Sequence, residues 1–197
     1  MIETVIINGS YRKDGVSDQM VEMIEKTLSK NNNSYKTFNL REKDIKYCTN
    51  CRVCMQEKGQ MPMNCTIDDE MKAIVSLLEE AKNYVFISPT NFGTVTSLFK
   101  CFLERLGVYG YYPWGEHAPK FRKKPTKKAL CLSSCAAPSL IAWLFFDTMK
   151  PLKYAAKCVG ANVVNTHYIG IAAKEKNRKL TKSEKDKLSK LANKLIK

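Results

Sequence analysis

The chain lacks any long apolar run. Its longest, Leu140 to Phe146, ends after seven residues at Asp147, and a bilayer-spanning helix needs about 20. A membrane-spanning helix is therefore not expected, nor a membrane as partner. Histidine is scarce. His117 and His167 are the two present, and neither stands beside a serine or cysteine in a nucleophile motif, so no catalytic triad is indicated. Glycine-rich nucleotide signatures are missing as well: the dinucleotide fingerprint and the Gly-Lys end of a P-loop do not occur. The opening Met1-Ile2-Glu3-Thr4-Val5 has no basic segment and no small-residue cleavage site, so the expectation is a cytoplasmic protein.

What is present suits one α/β domain over residues 1–197. The 197 residues are 44% hydrophobic and 26% charged, enough for a substantial core and too apolar for a disordered chain. Net charge is +14. The excess is concentrated in Lys120 to Lys128 and in Lys174 to Lys197. Neither stretch interleaves its charges with the aromatics that single-strand binders use, so we read both as solvated surface. Nucleic acid is not an expected partner, although a basic zinc-containing nucleic-acid-binding module is kept as a remote alternative. The charge favours anionic ligands such as phosphorylated dinucleotides.

Strand and helix patterns alternate along the chain. Five strands are expected, at Ile2 to Ile7, Tyr35 to Leu40, Tyr84 to Ile87, Ala129 to Leu132 and Val163 to Ile171. Between and after them come five helices. The first opens at Ser17 with Met20, Val21, Ile24 and Leu28 on one stripe. Thr66-x-x-Asp69 reads as a capping box for the second, with Asp68 and Asp69 stabilised at its N-terminus. The third runs from about Thr96 to Leu106. The fourth is capped by Ser139 and runs to about Cys158, kinked or split by Pro151 and closed by Gly160. Thr181-x-x-Glu184 caps the last. Residues 107–128 are too long for an ordinary connection and read as a lid or interface loop. Trp143 to Phe146 reads as core or as buried between subunits. Alternation of this kind implies a parallel sheet with helices on both faces, and ligands then bind outside the carboxyl ends of the strands.

Two loops at those ends carry chemistry. Gly9-Ser10-Tyr11-Arg12-Lys13-Asp14-Gly15-Val16-Ser17 joins the first strand to a helix N-terminus, where free N–H groups, the helix dipole, two hydroxyls and the Arg12 fork favour a phosphate. Ser88-Pro89-Thr90-Asn91-Phe92-Gly93 follows the third strand, its backbone set by Pro89 and Gly93.

Eight cysteines are present, four of them as Cys48-x2-Cys51-x2-Cys54-x10-Cys65 in a loop spanning 46–66. Thiolates so spaced can ligate a [4Fe–4S] cluster or a structural zinc, or stand as free thiols. The other four lie singly in apolar segments, as small hydrophobes do.

Gly9-Ser10-Tyr11-Arg12, the Cys48 to Cys65 loop, Asp68-Asp69-Glu70-Met71, Ser88 to Gly93 and Lys100-Cys101-Phe102-Leu103-Glu104-Arg105 together resemble the NADPH-dependent FMN reductase family, in particular its iron–sulfur flavoprotein branch. The resemblance covers about residues 1–106. It implies a flavodoxin-like three-layer α/β sandwich with a five-stranded parallel sheet in the order 2-1-3-4-5. It implies bound FMN, with Ser10, Arg12, Val16 and Ser17 at the phosphate. Pro89, Thr90, Asn91, Phe92 and Gly93 would flank the isoalloxazine, and Ser134 and Cys135 would close the site. No catalytic side chain is implied. NAD(P)H would be the co-substrate, and a quinone, nitro compound, flavin or protein the electron acceptor. A cluster on Cys48, Cys51, Cys54 and Cys65 would make electron transfer the alternative role. A homodimer or homotetramer is implied too.

Overall fold

The computed structural model describes residues 2–197. Strand β1 (Thr4–Asn8) is an inner strand, buried along its whole length. It pairs in parallel with β2 (Tyr35–Asn39) on one side and with β3 (Asn83–Ile87) on the other. Two short strands, β4 (Gly110–Tyr111) and β5 (Lys120–Phe121), form a separate antiparallel ribbon. β6 (Lys127–Ser134) then pairs with β3, and β7 (Ala161–Ile169) with β6, both in parallel. The main sheet is ordered β2-β1-β3-β6-β7. This is the expected 2-1-3-4-5 with the two ribbon strands numbered in. The order reverses between β1 and β3, so their carboxyl ends open the crevice where such sheets take ligands.

The helices cover both faces. On one side α1 (Val16–Lys30) and α6 (Lys182–Ile196) pack Met20, Ile24, Leu28, Leu188 and Leu195 against Ile6, Val85, Leu130 and Leu132. On the other, α2 (Met71–Glu80), α3 (Ser97–Arg105) and α5 (Met149–Cys158) cover Val5, Ile7, Phe86 and Cys131. Alternate residues of each strand serve opposite cores, which is why the strands read as continuous apolar runs. Phe86, Phe99 and Phe102 meet with ring centroids 5.7–6.5 Å apart. No helix among the described residues is long and apolar enough to cross a membrane.

Several local expectations are corrected. Helix α2 starts at Met71 and Thr66 does not cap it. Asp69 takes the Met71 N–H at 3.0 Å instead, because its carboxylate is drawn inward to Arg105. The single helix expected from Ser139 to Cys158 is two, α4 (Ser139–Phe145) and α5. Pro138, not Ser139, precedes the first turn of α4. The break falls at residues 146–148, ahead of Pro151, which sits in the first turn of α5 where a missing N–H costs no helical bond. Gly160 does follow the end of α5, at φ +72°, and a Cβ there would lie 2.7 Å from Lys123 Cβ. Trp143 to Phe145 are not core of this chain: Leu144 and Phe145 are 68% and 75% exposed. The capping box at Thr181 and Glu184 forms as expected.

Candidate functional site

A cleft of about 330 Å³ opens where the loops after β1, β3, β6 and β7 converge. It gathers Ser10, Arg12, Val16 and Ser17 from the first loop, Pro89, Thr90 and Asn91 from the second, and Ser134 and Cys135 from the end of β6. Nine of the eleven expected positions thus share one cavity. Phe92 and Gly93 are the exceptions. They form the tip of a tight turn, closed by reciprocal backbone bonds between Asn91 and Thr94, with φ +48° and +80°. Phe92 is fully exposed, and the Gly93 carbonyl is turned away to accept the Asp147 N–H at 2.8 Å.

The first loop is held from beneath. The Asp18 carboxylate accepts two hydrogen bonds from Arg41, at 2.9 and 3.0 Å, one from Asn8 Nδ2 and one from the Asp14 N–H. Arg41 also donates to the Ser10 carbonyl, and Asn8 Oδ1 accepts the Ser10 N–H. Thr96 Oγ1 donates to the Gly9 carbonyl at 2.6 Å, and a Cβ on Gly9 would lie 2.8 Å from Phe99 Cβ. The loop is therefore preorganised by residues that do not touch the cleft. No side chain caps the first turn of α1, which follows Gly15, so its N–H donors remain available to an anion. Ser17 and Ser134 hydroxyls stand 3.3 Å apart, and Arg12 reaches Asn177 at 3.4 Å across the mouth. No carboxylate is among the cleft's lining residues.

The second loop is braced through hydroxyls. The Thr90 N–H donates to the Ser134 carbonyl, and Thr90 Oγ1 bonds both Ser133 and Thr148. Sequence reasoning missed Asn8, Asp18 and Arg41, whose roles arise only when β1, α1 and the turn after β2 come together. It also missed Ala172 and Ala173, which line the cleft from the loop after β7 and carry no chemical signature.

The cysteine loop forms a second locality. Asn50 and Arg52 adopt positive φ, bending the loop between its thiols. Burial pushes the Cys54 thiol up to about 11, reinforced by Cys65, Cys48 and Cys51. Arg105 donates to Cys65 Sγ at 3.6 Å. Among the described residues no three of His, Cys, Asp and Glu stand in a metal-holding arrangement. The 107–128 segment packs onto this loop and supplies none of the cleft's lining. Arg52 lies between the Tyr112 and Trp114 rings, at 3.8 and 4.1 Å, and the buried Arg122 donates to the Glu57 and Cys54 carbonyls. His117 is exposed and lines neither locality, and His167 is a β7 residue.

Comparison with known proteins places these features. An iron-sulfur flavoprotein of Archaeoglobus fulgidus is 31% identical over 112 residues, 57% of this chain and 49% of that protein. One from Clostridioides difficile is 32% identical over 107 residues, 53% and 45% respectively. The matched part of the chain thus spans about half the length of these relatives. In fold, the chain is similar to an FMN-dependent NADH-azoreductase from Bacillus anthracis solved in complex with FMN, with a TM-score of 0.72 at 14% identity over 99% of this chain and 100% of that one. A Streptococcus mutans protein, Smu.1420, gives 0.71 at 17%, covering 98% of each chain. Residues 2–144 match the NADPH-dependent FMN reductase family, including both cleft loops, and the chain belongs to that family.

Proposed function

We propose that the cleft binds FMN and that the protein is an NAD(P)H-dependent oxidoreductase passing electrons to a quinone, nitro compound, flavin or protein acceptor. One observation carries this reading: a carboxylate-free cleft that joins an uncapped helix N-terminus, three serine hydroxyls and an arginine. That donor set fits a phosphate monoester. Ser10, Arg12, Val16 and Ser17 would hold the phosphate, with the Asp18–Arg41 pair keeping the loop in shape. Pro89, Thr90 and Asn91 would flank the ring, with the Phe92–Gly93 turn outside the cleft, and Ser134 and Cys135 would close the far wall. When bound, the flavin supplies the exchange of electrons between a reduced nicotinamide and the acceptor. The side chains orient it, and none is assigned a catalytic proton.

The cysteine loop supports a second reading, a cluster that relays single electrons. Four thiols as donors suit a [4Fe–4S] centre. The positive-φ bends at Asn50 and Arg52 and the Arg105 contact to Cys65 shape the loop around them, and their present arrangement does not close a ligand shell. A cytoplasmic location agrees with eight unpaired cysteines, which persist in a reducing compartment. The exposed apolar face of α4 supports a homodimer or homotetramer.

An anaerobic absorption spectrum of the purified protein, followed by NADH and NADPH oxidation, tests the reading. Flavin bands with nicotinamide turnover support it. A broad brown absorbance that bleaches with dithionite supports the cluster. Colourless protein that fails to bind added FMN sinks both.

A further inference from the structure

Strand β7 ends the main sheet. β6 pairs with one of its edges, and among the described residues no strand pairs with the other. Alternate residues of a strand turn their N–H and C=O to opposite sides. The Ile169 carbonyl accepts the Cys135 N–H, so Ile169 faces β6, and counting back by twos so do His167 and Asn165. The backbone of Thr166 therefore faces outward, where a further strand would lie.

A groove of about 760 Å³ follows this outer edge and shares no lining residue with the cleft. Residues 161–166 all line it. Consecutive strand residues point to opposite faces of the sheet, so what these share is the strand's edge. At about 3.3 Å per residue the lined stretch is about 20 Å long, the reach of a short extended peptide. Lys153 and Lys157 of α5 form one wall, and Phe121, Lys123 and Pro125 the other. Asn162 Nδ2 donates to the Pro125 carbonyl at 3.1 Å and ties that wall to the strand.

Charge decides the occupant. No carboxylate lines the groove. Lys123 is paired with Glu79, whereas Lys153 and Lys157 are exposed and form no ion pair among the described residues. A second copy pairing edge to edge would bring two such lysine rows together, on a chain of net charge +14. The lysines, and the register shift that leaves Val164 unpaired with β6, are the devices that keep sheet edges from joining their own kind. The same lysines attract a strand that carries carboxylates. A nucleic acid would meet the charge but offers no ladder of N–H and C=O groups to the edge.

We propose that the outer edge of β7 takes an extended acidic segment of a partner protein as an added strand. Main-chain hydrogen bonds to the edge hold the segment, and carboxylates on alternate residues face Lys153 and Lys157. The groove is separate from the FMN cleft and does not depend on what the cleft holds.

The test is fluorescence anisotropy with the full chain and a fluorescein-labelled peptide, Thr-Glu-Val-Glu-Val-Glu-Thr. Saturable binding is expected, weaker by about tenfold or more when the peptide's Glu residues are replaced by Lys. Two further peptides carry backbone N-methyl groups, one on the Glu residues and the other on the Val residues. These sets donate from opposite edges of the extended peptide, so one peptide should lose about tenfold and the other little. Lys153→Glu combined with Lys157→Glu should weaken binding by about tenfold. Thr166→Pro removes an outward donor at a place where an edge strand tolerates proline, and should weaken binding several-fold with the circular dichroism unchanged. Absence of saturable binding overturns the proposal, as does indifference to the lysine substitutions. Equal affinity of the two methylated peptides shows attraction by charge alone and overturns it too, as does displacement of the peptide by a single-stranded oligonucleotide whose binding ignores Thr166→Pro. A mass by light scattering that Thr166→Pro halves would give the edge to a second copy instead.

Discussion

Arg105 and Asp69 form a buried pair beneath the cysteine loop, joined by two hydrogen bonds. The same guanidinium donates to the Lys46 carbonyl at 2.8 Å and to Cys65 Sγ. It ties both ends of the loop to helix α3. Breaking a buried pair leaves one charge uncompensated, so Asp69→Asn is expected to cost about 3–5 kcal/mol in urea denaturation at neutral pH. Burial by itself pushes the Asp69 carboxyl up, but Arg105 and the Lys46 and Met71 N–H groups outweigh it and hold the carboxyl below its ordinary value. That contribution is present above the unfolded value of about 3.9 and is lost as pH falls through the lower folded value. The variant's acid limb should be shallower than the wild type's.

FMN binding predicts a thermal shift. At a ligand concentration about 100 times Kd, stabilisation is about 2.7 kcal/mol. Arg12→Ala removes a charged fork from an exposed position and should weaken FMN by about tenfold, cutting that figure by about 1.4 kcal/mol. The melting temperature without FMN should not move. A full shift in the variant would show that Arg12 does not meet the phosphate.

His167 predicts a pH dependence of opposite origin. Burial and then the nearby Lys187 charge lower its value, against a smaller pull from Glu184. Between about 6.5 and that lowered value the unfolded chain binds a proton that the folded chain does not. Stability should therefore fall as pH drops below about 6.5. His167→Gln should flatten this slope in melting curves taken from pH 7 to 5.

The apolar surface of α4 predicts assembly. Leu140, Leu144 and Phe145 are 68–75% exposed, an arrangement unusual for an isolated subunit. Leu144→Asp combined with Phe145→Asp should lower the mass measured by light scattering to that of one chain, with the circular dichroism unchanged. A wild type already monomeric at about 10 μM would remove this role for α4.

The core and the sheet were legible because they rest on local pattern. Apolar runs such as Thr4–Asn8 and Asn83–Ile87 stop at polar loops, and the stripe Met20, Ile24 and Leu28 repeats at helical spacing. The first phosphate-type loop was legible for the same reason, since its glycine, hydroxyls and arginine are contiguous. Thr66 misled because a cap motif describes local hydrogen bonding, whereas Asp69 is claimed by Arg105 from another helix. Trp143 to Phe145 read as core or as a subunit contact, and exposure in the chain excludes the first alone, because apolar composition says that a surface is to be covered without saying by what.

What the amino-acid sequence determines by itself is the alternation of elements, the two loops that carry cleft chemistry and the spacing of the four thiols. Each is a property of residues near one another along the chain. Only the tertiary structure decides that Asp18, Arg41 and Asn8 brace the first loop, that residues 107–128 pack on the cysteine loop, and that Arg105 meets Asp69 beneath it. Those relationships join positions tens of residues apart. They come from sheet register and helix packing, in which the net result of many weak apolar contacts selects which distant polar groups meet.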